Sequence, residues 1–202
     1  MPSNPEEIFN VDFNEYLLLF AYRNASFPMG NPDTQEIRWY RPEQRAIIPL
    51  KSFHISKSLR KALNKKKYEV KINQQFETVM RHCMSQHKES WITEEMIAVY
   101  TRAHHKGFAH SLEIYQNGEL AGGLYGISIS GVFCGESMFH LKENASKIAL
   151  CELVFRMRER GMTLLDTQYS NSHIEQFHVE LIQDEEYYRR LQTALQLATS
   201  FI

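Results

Sequence analysis

With 202 residues, 43% of them hydrophobic, and with twelve Phe and ten Tyr, the chain has the composition of a globular protein and not of a disordered one. A formal net charge of −1 excludes nucleic-acid binding by bulk charge, so any such affinity needs a local patch. No apolar run nears the roughly 18–20 residues of a membrane span, and Met1 to Glu7 lack the basic-then-apolar layout of a secretory leader.

In chain order, residues 12–23 predict a short helix with Phe13, Leu17, Phe20 and Ala21 as its buried stripe. Residues 26–50 read as loop, broken by Pro28, Gly30, Pro32, Pro42 and Pro49, and close a small N-terminal domain over 1–50 ahead of a larger one over 51–202. Residues 57–71 carry Lys57, Arg60, Lys61, Lys65, Lys66, Lys67 and Lys71 against Glu69 alone, seven cations less one anion, or +6. A helix over 74–83 places Phe76, Val79, Met80 and Cys83 on one face. Thr93 is positioned to cap the next helix, Glu94 and Glu95 suit its positive end, and Gly107 stops it. Strands over 109–116, 119–128 and 132–139 follow, joined by Asn117-Gly118 and Ser130-Gly131 turns. A helix over 144–160, with Leu150, Leu153, Val154 and Met157 inward, ends at Gly161 and leads to a strand over 163–166. The order is mixed α/β, and the acidic stretch 180–186 reads as solvated surface.

The chemistry-bearing residues lie late in the chain. Alternation over 133–139 puts Phe133, Gly135, Ser137 and Phe139 on one face and Cys134, Glu136 and Met138 on the other. A carboxylate among apolar neighbours needs a partner, so Glu136 serves either a structural ion pair or a site. Asp166 and Gln168 share a face at a strand's end, where α/β enzymes place their sites, with Asn171 and His173 just beyond. Capping and turn duty accounts for Asp166 and Asn171 equally well. Gly122, Gly123 and Gly126 inside a strand indicate close approach of a ligand or of another backbone. The run 57–71 suits phosphates or a solvated face, and Tyr68 is its only aromatic. Cys83, Cys134 and Cys151 are odd in number and form no CxxC pair, which points to reduced thiols in the cytoplasm. The nine His show no zinc-ligand spacing, so no metal is expected.

Together these segments resemble the bacterial leucyl/phenylalanyl-tRNA–protein transferase family. The matching stretches are Trp39-Tyr40-Arg41-Pro42 with Arg45-Ala46, Phe53-His54-Ile55-Ser56-Lys57-Ser58, Trp91-Ile92-Thr93 and Ala109-His110-Ser111-Leu112-Glu113. Gly122-Gly123-Leu124-Tyr125-Gly126, the stretch Phe133 to Phe139, Glu143-Asn144-Ala145-Ser146-Lys147 and the pattern Asp166, Gln168, Asn171, His173 complete the series. The resemblance implies an acetyltransferase-like C-terminal domain beside a small N-terminal α/β domain. It also implies transfer of Leu or Phe from aminoacyl-tRNA to proteins with N-terminal Arg or Lys, in the cytoplasm and without a cofactor, which marks those proteins for degradation. Glu136, Asp166 and Gln168 then become the catalytic set, with Glu136 holding the basic acceptor residue and the other two its amine. Trp91, Leu124, Phe133, Met138, Leu153 and Leu165 become the donor pocket, joined in substrate binding by Asn171 and His173. Lys57, Arg60, Lys61, Lys65, Lys66 and Lys67 face the tRNA acceptor stem, whose 3′ end reaches the cleft.

The chain departs from the pattern in two places. Gln176, His178 and Asp184 stand where the family usually has Ser, Gly and Arg, and Ala25 to Met29 replace a more typical Gly-Ile-Phe-Pro-Trp. Acid near the donor pocket would welcome an arginyl side chain, so an arginyl-tRNA–protein transferase acting on N-terminal Asp or Glu is a competing reading. An acyl-CoA-dependent N-acetyltransferase would call for a Gly-rich pyrophosphate turn, and residues 141–144 offer Leu-Lys-Glu-Asn. A non-catalytic tRNA-binding protein would not require Glu136, Asp166 and Gln168 together.

Overall fold

The computed structural model describes residues 12–86 and 89–202; residues 1–11, on which the leader reading rests, lie outside the described part. In chain order it holds α1 (Glu15–Arg23), β1 (Phe27–Gly30), β2 (Ile37–Tyr40), β3 (Gln44–Ile48), α2 (Lys57–Asn64), β4 (Glu69–Ile72), α3 (Phe76–Ser85) and α4 (Glu94–His105). Then come β5 (Ala109–Gln116), β6 (Glu119–Ile129), β7 (Val132–His140), α5 (Ala145–Glu159), β8 (Leu164–Gln168), α6 (Ser172–Glu175), β9 (Glu180–Gln183) and α7 (Asp184–Leu195). Seven strands form one mixed sheet in the order β4-β5-β6-β7-β8-β3-β9, in which only β7 and β8 run parallel, while β1 and β2 make a separate hairpin. The architecture is the mixed α/β one expected.

The helices divide between the two sheet faces as their apolar stripes dictate. Phe76, Val79, Met80 and Cys83 of α3 join Met96, Ile97 and Tyr100 of α4 and Tyr187 and Leu191 of α7 in one core. Leu59 and Leu63 of α2 join Leu150, Leu153 and Met157 of α5 in the other. Burial of such side chains is worth roughly 1.5–3 kcal/mol each. Thr93 caps α4 by accepting from the Met96 N–H at 3.2 Å, as its position predicts. A buried carboxylate does the same for α3, which has no side-chain cap of its own: Glu113 accepts from the backbone N–H groups of Gln74 and Gln75, both at 3.3 Å.

Three local expectations are corrected. Residues 26–50 are not loop but contain β1, β2 and β3; Pro28 is tolerated because a two-stranded hairpin has only edges, and Pro42 and Pro49 flank β3 instead of interrupting it. Helix α1 starts only after Asn14, which caps it, so its buried face is Leu18, Ala21 and Tyr22, and Phe20 is 55% exposed. In β7 the alternation breaks: Tyr125 pairs with Ser137 but Gly126 with Gly135, leaving Glu136 as an extra, bulged residue. Phe133 and Phe139 therefore fall in opposite cores. Strand β3 precedes the boundary expected near residue 50, yet it lies between β8 and β9 of the main sheet.

The glycines of β6 answer to packing. A Cβ on Gly122 would meet the Ala145 Cβ at 2.7 Å, and one on Gly126 would meet the Cys134 carbonyl oxygen at 2.2 Å. Two departures from the family pattern fall at left-handed backbone positions, Ala25 (φ 65°) and His178 (φ 68°). A side chain there costs roughly 1–2 kcal/mol, partly recovered through the stiffer unfolded chain. Ala25→Gly and His178→Gly are each expected to raise stability by about 0.5–1 kcal/mol, read as an upward shift of the urea midpoint with unchanged slope.

Candidate active site

The site arises where β7 and β8 part. They pair only over residues 132–134 and 164–166; beyond that, β7 runs on against β6 and the two strand ends splay. A cavity of about 610 Å³ opens there. Its apolar walls are Trp91, Leu124, Met138, Leu150, Leu153 and Leu165, and Glu136, Thr167, Asn171 and His173 supply polar groups. Five of the six expected pocket residues thus line it. Phe133 does not: it is fully buried and packs on Phe201, ring centroids 5.0 Å apart. It follows the strand phase set before the bulge.

The bulge aims Glu136 across the gap. Gln168 Nε2 donates to Glu136 Oε1 at 2.9 Å, and Tyr100 Oη donates to Oε2 at 3.3 Å, with the Tyr22 hydroxyl 2.8 Å behind that of Tyr100. Removal from bulk water pushes the Glu136 carboxyl up to about 8, with the Asp166 charge adding to it, while hydrogen bonds from Tyr22 and Tyr100 and the Arg45 charge pull the other way. Burial likewise raises the Tyr22 and Tyr100 hydroxyls well above the usual phenol value, so both stay protonated donors.

Asp166 takes a different place from the one expected. It is 0% exposed and lines no part of the cavity. Its carboxylate is held by Arg45 through Nε to Oδ1 at 2.9 Å and Nη2 to Oδ2 at 2.7 Å, with Tyr187 Oη donating at 2.8 Å. It also accepts the Gln168 backbone N–H at 2.9 Å. That bond fixes Gln168, whose φ of 57° puts a non-glycine residue in the left-handed region. Gln168 is 6% exposed, and among the described residues its Oε1 accepts no hydrogen bond. The structure thus joins Glu136 directly to Gln168 and places Asp166 beneath Gln168.

Asn171 caps α6, accepting from the His173 and Ile174 N–H groups at 3.0 and 3.2 Å. Burial, with the Lys147 and His140 charges, lowers the His173 imidazole below its ordinary value. Sequence reasoning missed Arg45, Tyr22 and Tyr100 as site residues; Arg45 stood in a quoted motif, but nothing local marks its partner 121 residues away.

Lys57, Arg60, Lys61, Lys65, Lys66 and Lys67 are all exposed on α2 and the turn after it. Lys61, Lys65 and Lys67 share a hollow of about 350 Å³ with Asn144 and Ile148 at the start of α5. The opposite side of the same helix start, Ser146 and Leu150, lines the cavity. None of residues 180–186 lines that cavity, and Asp184 holds Arg41 at 2.7 Å while Glu186 holds Arg189 and Arg190. Glu136 is the only carboxylate lining the cavity among the described residues.

Residues 47–192 match the family model of leucyl/phenylalanyl-tRNA protein transferases. A transferase of that name from Salinibacter ruber is 44% identical over 187 residues, covering 93% of this chain and 82% of its own. Those of Chlorobaculum tepidum (45% identical; 92% and 97% covered) and Gloeobacter violaceus (44%; 95% and 98%) are similar to it over nearly their whole length. Among solved structures, L-PGS from Bacillus licheniformis overlays with a TM-score of 0.44 at 13% identity, over 76% of this chain and 50% of that one. The sequence matches place the chain among the aminoacyltransferases. It belongs to the leucyl/phenylalanyl-tRNA–protein transferase family.

Proposed function

We propose that the protein transfers Leu or Phe from aminoacyl-tRNA to an N-terminal Arg or Lys of a protein, creating a degradation signal, with the Glu136–Gln168 pair at the reacting centre. The observation that carries the reading is that Glu136, held by Gln168 from just behind the lining, is the one carboxylate among the described residues on a cavity with a large apolar wall. The apolar walls take an uncharged donor side chain; an arginyl donor would find no carboxylate in the lining but Glu136, which in this reading serves the acceptor. Gln168 Oε1 accepts an N–H of the acceptor's α-amine and turns its lone pair toward the ester carbonyl. The C–N bond forms, the ester C–O bond to the ribose breaks, and the amine's proton ends on the leaving hydroxyl. Aminolysis of an ester is downhill, so positioning supplies much of the rate. Glu136 attracts the basic side chain of the acceptor. The six exposed cations hold the tRNA backbone around the first turn of α5, which separates them from the cavity.

The test supplies Leu-, Phe- and Arg-tRNA with peptides beginning in Arg or Asp. Product is expected from the first two donors and the Arg peptide; product from Arg-tRNA with the Asp peptide alone overturns the reading. The Glu136 carboxyl is neutral below its raised value and charged above it. The apparent KM for the Arg peptide should therefore fall as pH rises through about 8, and Glu136→Gln should reduce that fall to the part set by the acceptor amine, which titrates at about 8 itself.

A further inference from the structure

We infer that the β1–β2 hairpin is a clamp that sets the distance between the two walls of the cavity, with Gly30 as the positioning residue on the Trp91 side. The hairpin belongs to no other sheet, yet it touches Trp91 on one wall and Tyr169, two residues beyond the lining residue Thr167, beside the other. On one side the Gly30 N–H donates to the Trp91 carbonyl at 2.9 Å, and Trp91 lines the cavity. On the other side Phe27 stands edge-on to Tyr169, the residue after Gln168, with ring centroids 5.6 Å apart. The Phe27 ring also lies 4.6 Å from the Arg45 guanidinium that holds Asp166. One four-residue strand therefore links the irregular segment carrying Trp91 to the end of β8, where Thr167 lines the cavity and Gln168 follows.

The fit at Gly30 leaves no room for a side chain. Its φ lies outside the left-handed range, so its requirement is space and not conformation. A Cβ would meet the Trp91 carbonyl oxygen at 2.7 Å and Thr93 Cγ2 at 2.4 Å. The Thr93 methyl turns with its side chain, but that side chain caps α4 through its hydroxyl, and the Trp91 oxygen is backbone. The added methyl must therefore displace Trp91 and with it that wall. Misplacement of a binding group by a fraction of an ångström is enough to cost rate far from the chemistry.

This inference rests on the cavity being the donor site, and its test separates the two. The chain has two Trp, so Trp39→Phe leaves Trp91 as the only indole. In that background Gly30→Ala should shift the Trp91 emission and its quenching by acrylamide without tRNA present, and should raise the KM for Leu-tRNA about tenfold with kcat changed much less. Adding Thr93→Ser, which removes the clashing methyl and keeps the cap, should recover stability but not the emission. Unaltered emission and KM overturn the clamp even if transfer is normal. Failure of every donor to react in the parent protein overturns the assigned reaction and leaves the emission result standing. If Gly30→Ala does not fold, amide exchange at Gly30 in the parent protein decides: protection supports the clamp, and exchange at the rate of an open loop overturns it.

Discussion

Replacing Arg45 by leucine is expected to cost about 3–5 kcal/mol of folding free energy, the largest stability effect of any single change considered for this protein. Arg45 is 1% exposed, stacked 4.6 Å from the Phe27 ring and 4.5 Å from the Tyr187 ring, with both ends of its fork on Asp166 and a third bond to the Ala25 carbonyl at 3.0 Å. Without it a fully buried carboxylate is left with neutral partners, the Tyr187 hydroxyl, the Gln168 N–H and the Cys134 thiol. Removing both charges, as Arg45→Met with Asp166→Leu, should cost much less, because no orphaned charge remains. Urea denaturation of the parent and the two variants gives the order: Arg45→Leu least stable, the double variant near the parent. The double variant should nonetheless lose transfer, since the carboxylate that accepts the N–H of the strained Gln168 is gone. If it keeps full turnover, Asp166 has no part in positioning Gln168.

That pair also shows where sequence reading stops. Local signals, such as the Phe76, Val79, Met80, Cys83 stripe, the Thr93 cap and the Asn117-Gly118 turn, set α3, α4 and the β5–β6 hairpin within a residue or two. Those depend on neighbours in the chain. The three strands between residues 26 and 50 were hidden because prolines that flank strands look the same in sequence as prolines that break them. The bulge at Glu136 was hidden because one extra residue leaves no mark on a period of two until the partner strand is known. Glu136 and Gln168 were legible as candidates, the first as a carboxylate among apolar residues and the second from a motif. The division of labour between Asp166 and Gln168 was not, because it hangs on Arg45, 121 residues earlier.

Gln168→Gly is expected to separate strain from chemistry. Glycine adopts the φ of 57° without penalty, so the variant should be as stable as the parent or up to about 1 kcal/mol more so, through relief of the left-handed side chain. It removes the side chain of β8 that hydrogen-bonds Glu136, and with it the amide oxygen proposed to accept from the acceptor amine. Loss of one preorganised polar group of this kind costs about 10²–10³ in turnover. Single-turnover transfer from Phe-tRNA should fall by that factor while the donor's KM stays within about twofold, since the apolar walls and the basic face are untouched. Gln168→Ala should lose the same activity but keep the backbone strain, so the two variants should match in rate and differ in stability. Equal stability with unimpaired turnover in both would mean that the amide neither orients the amine nor is the reason the strained conformation is kept.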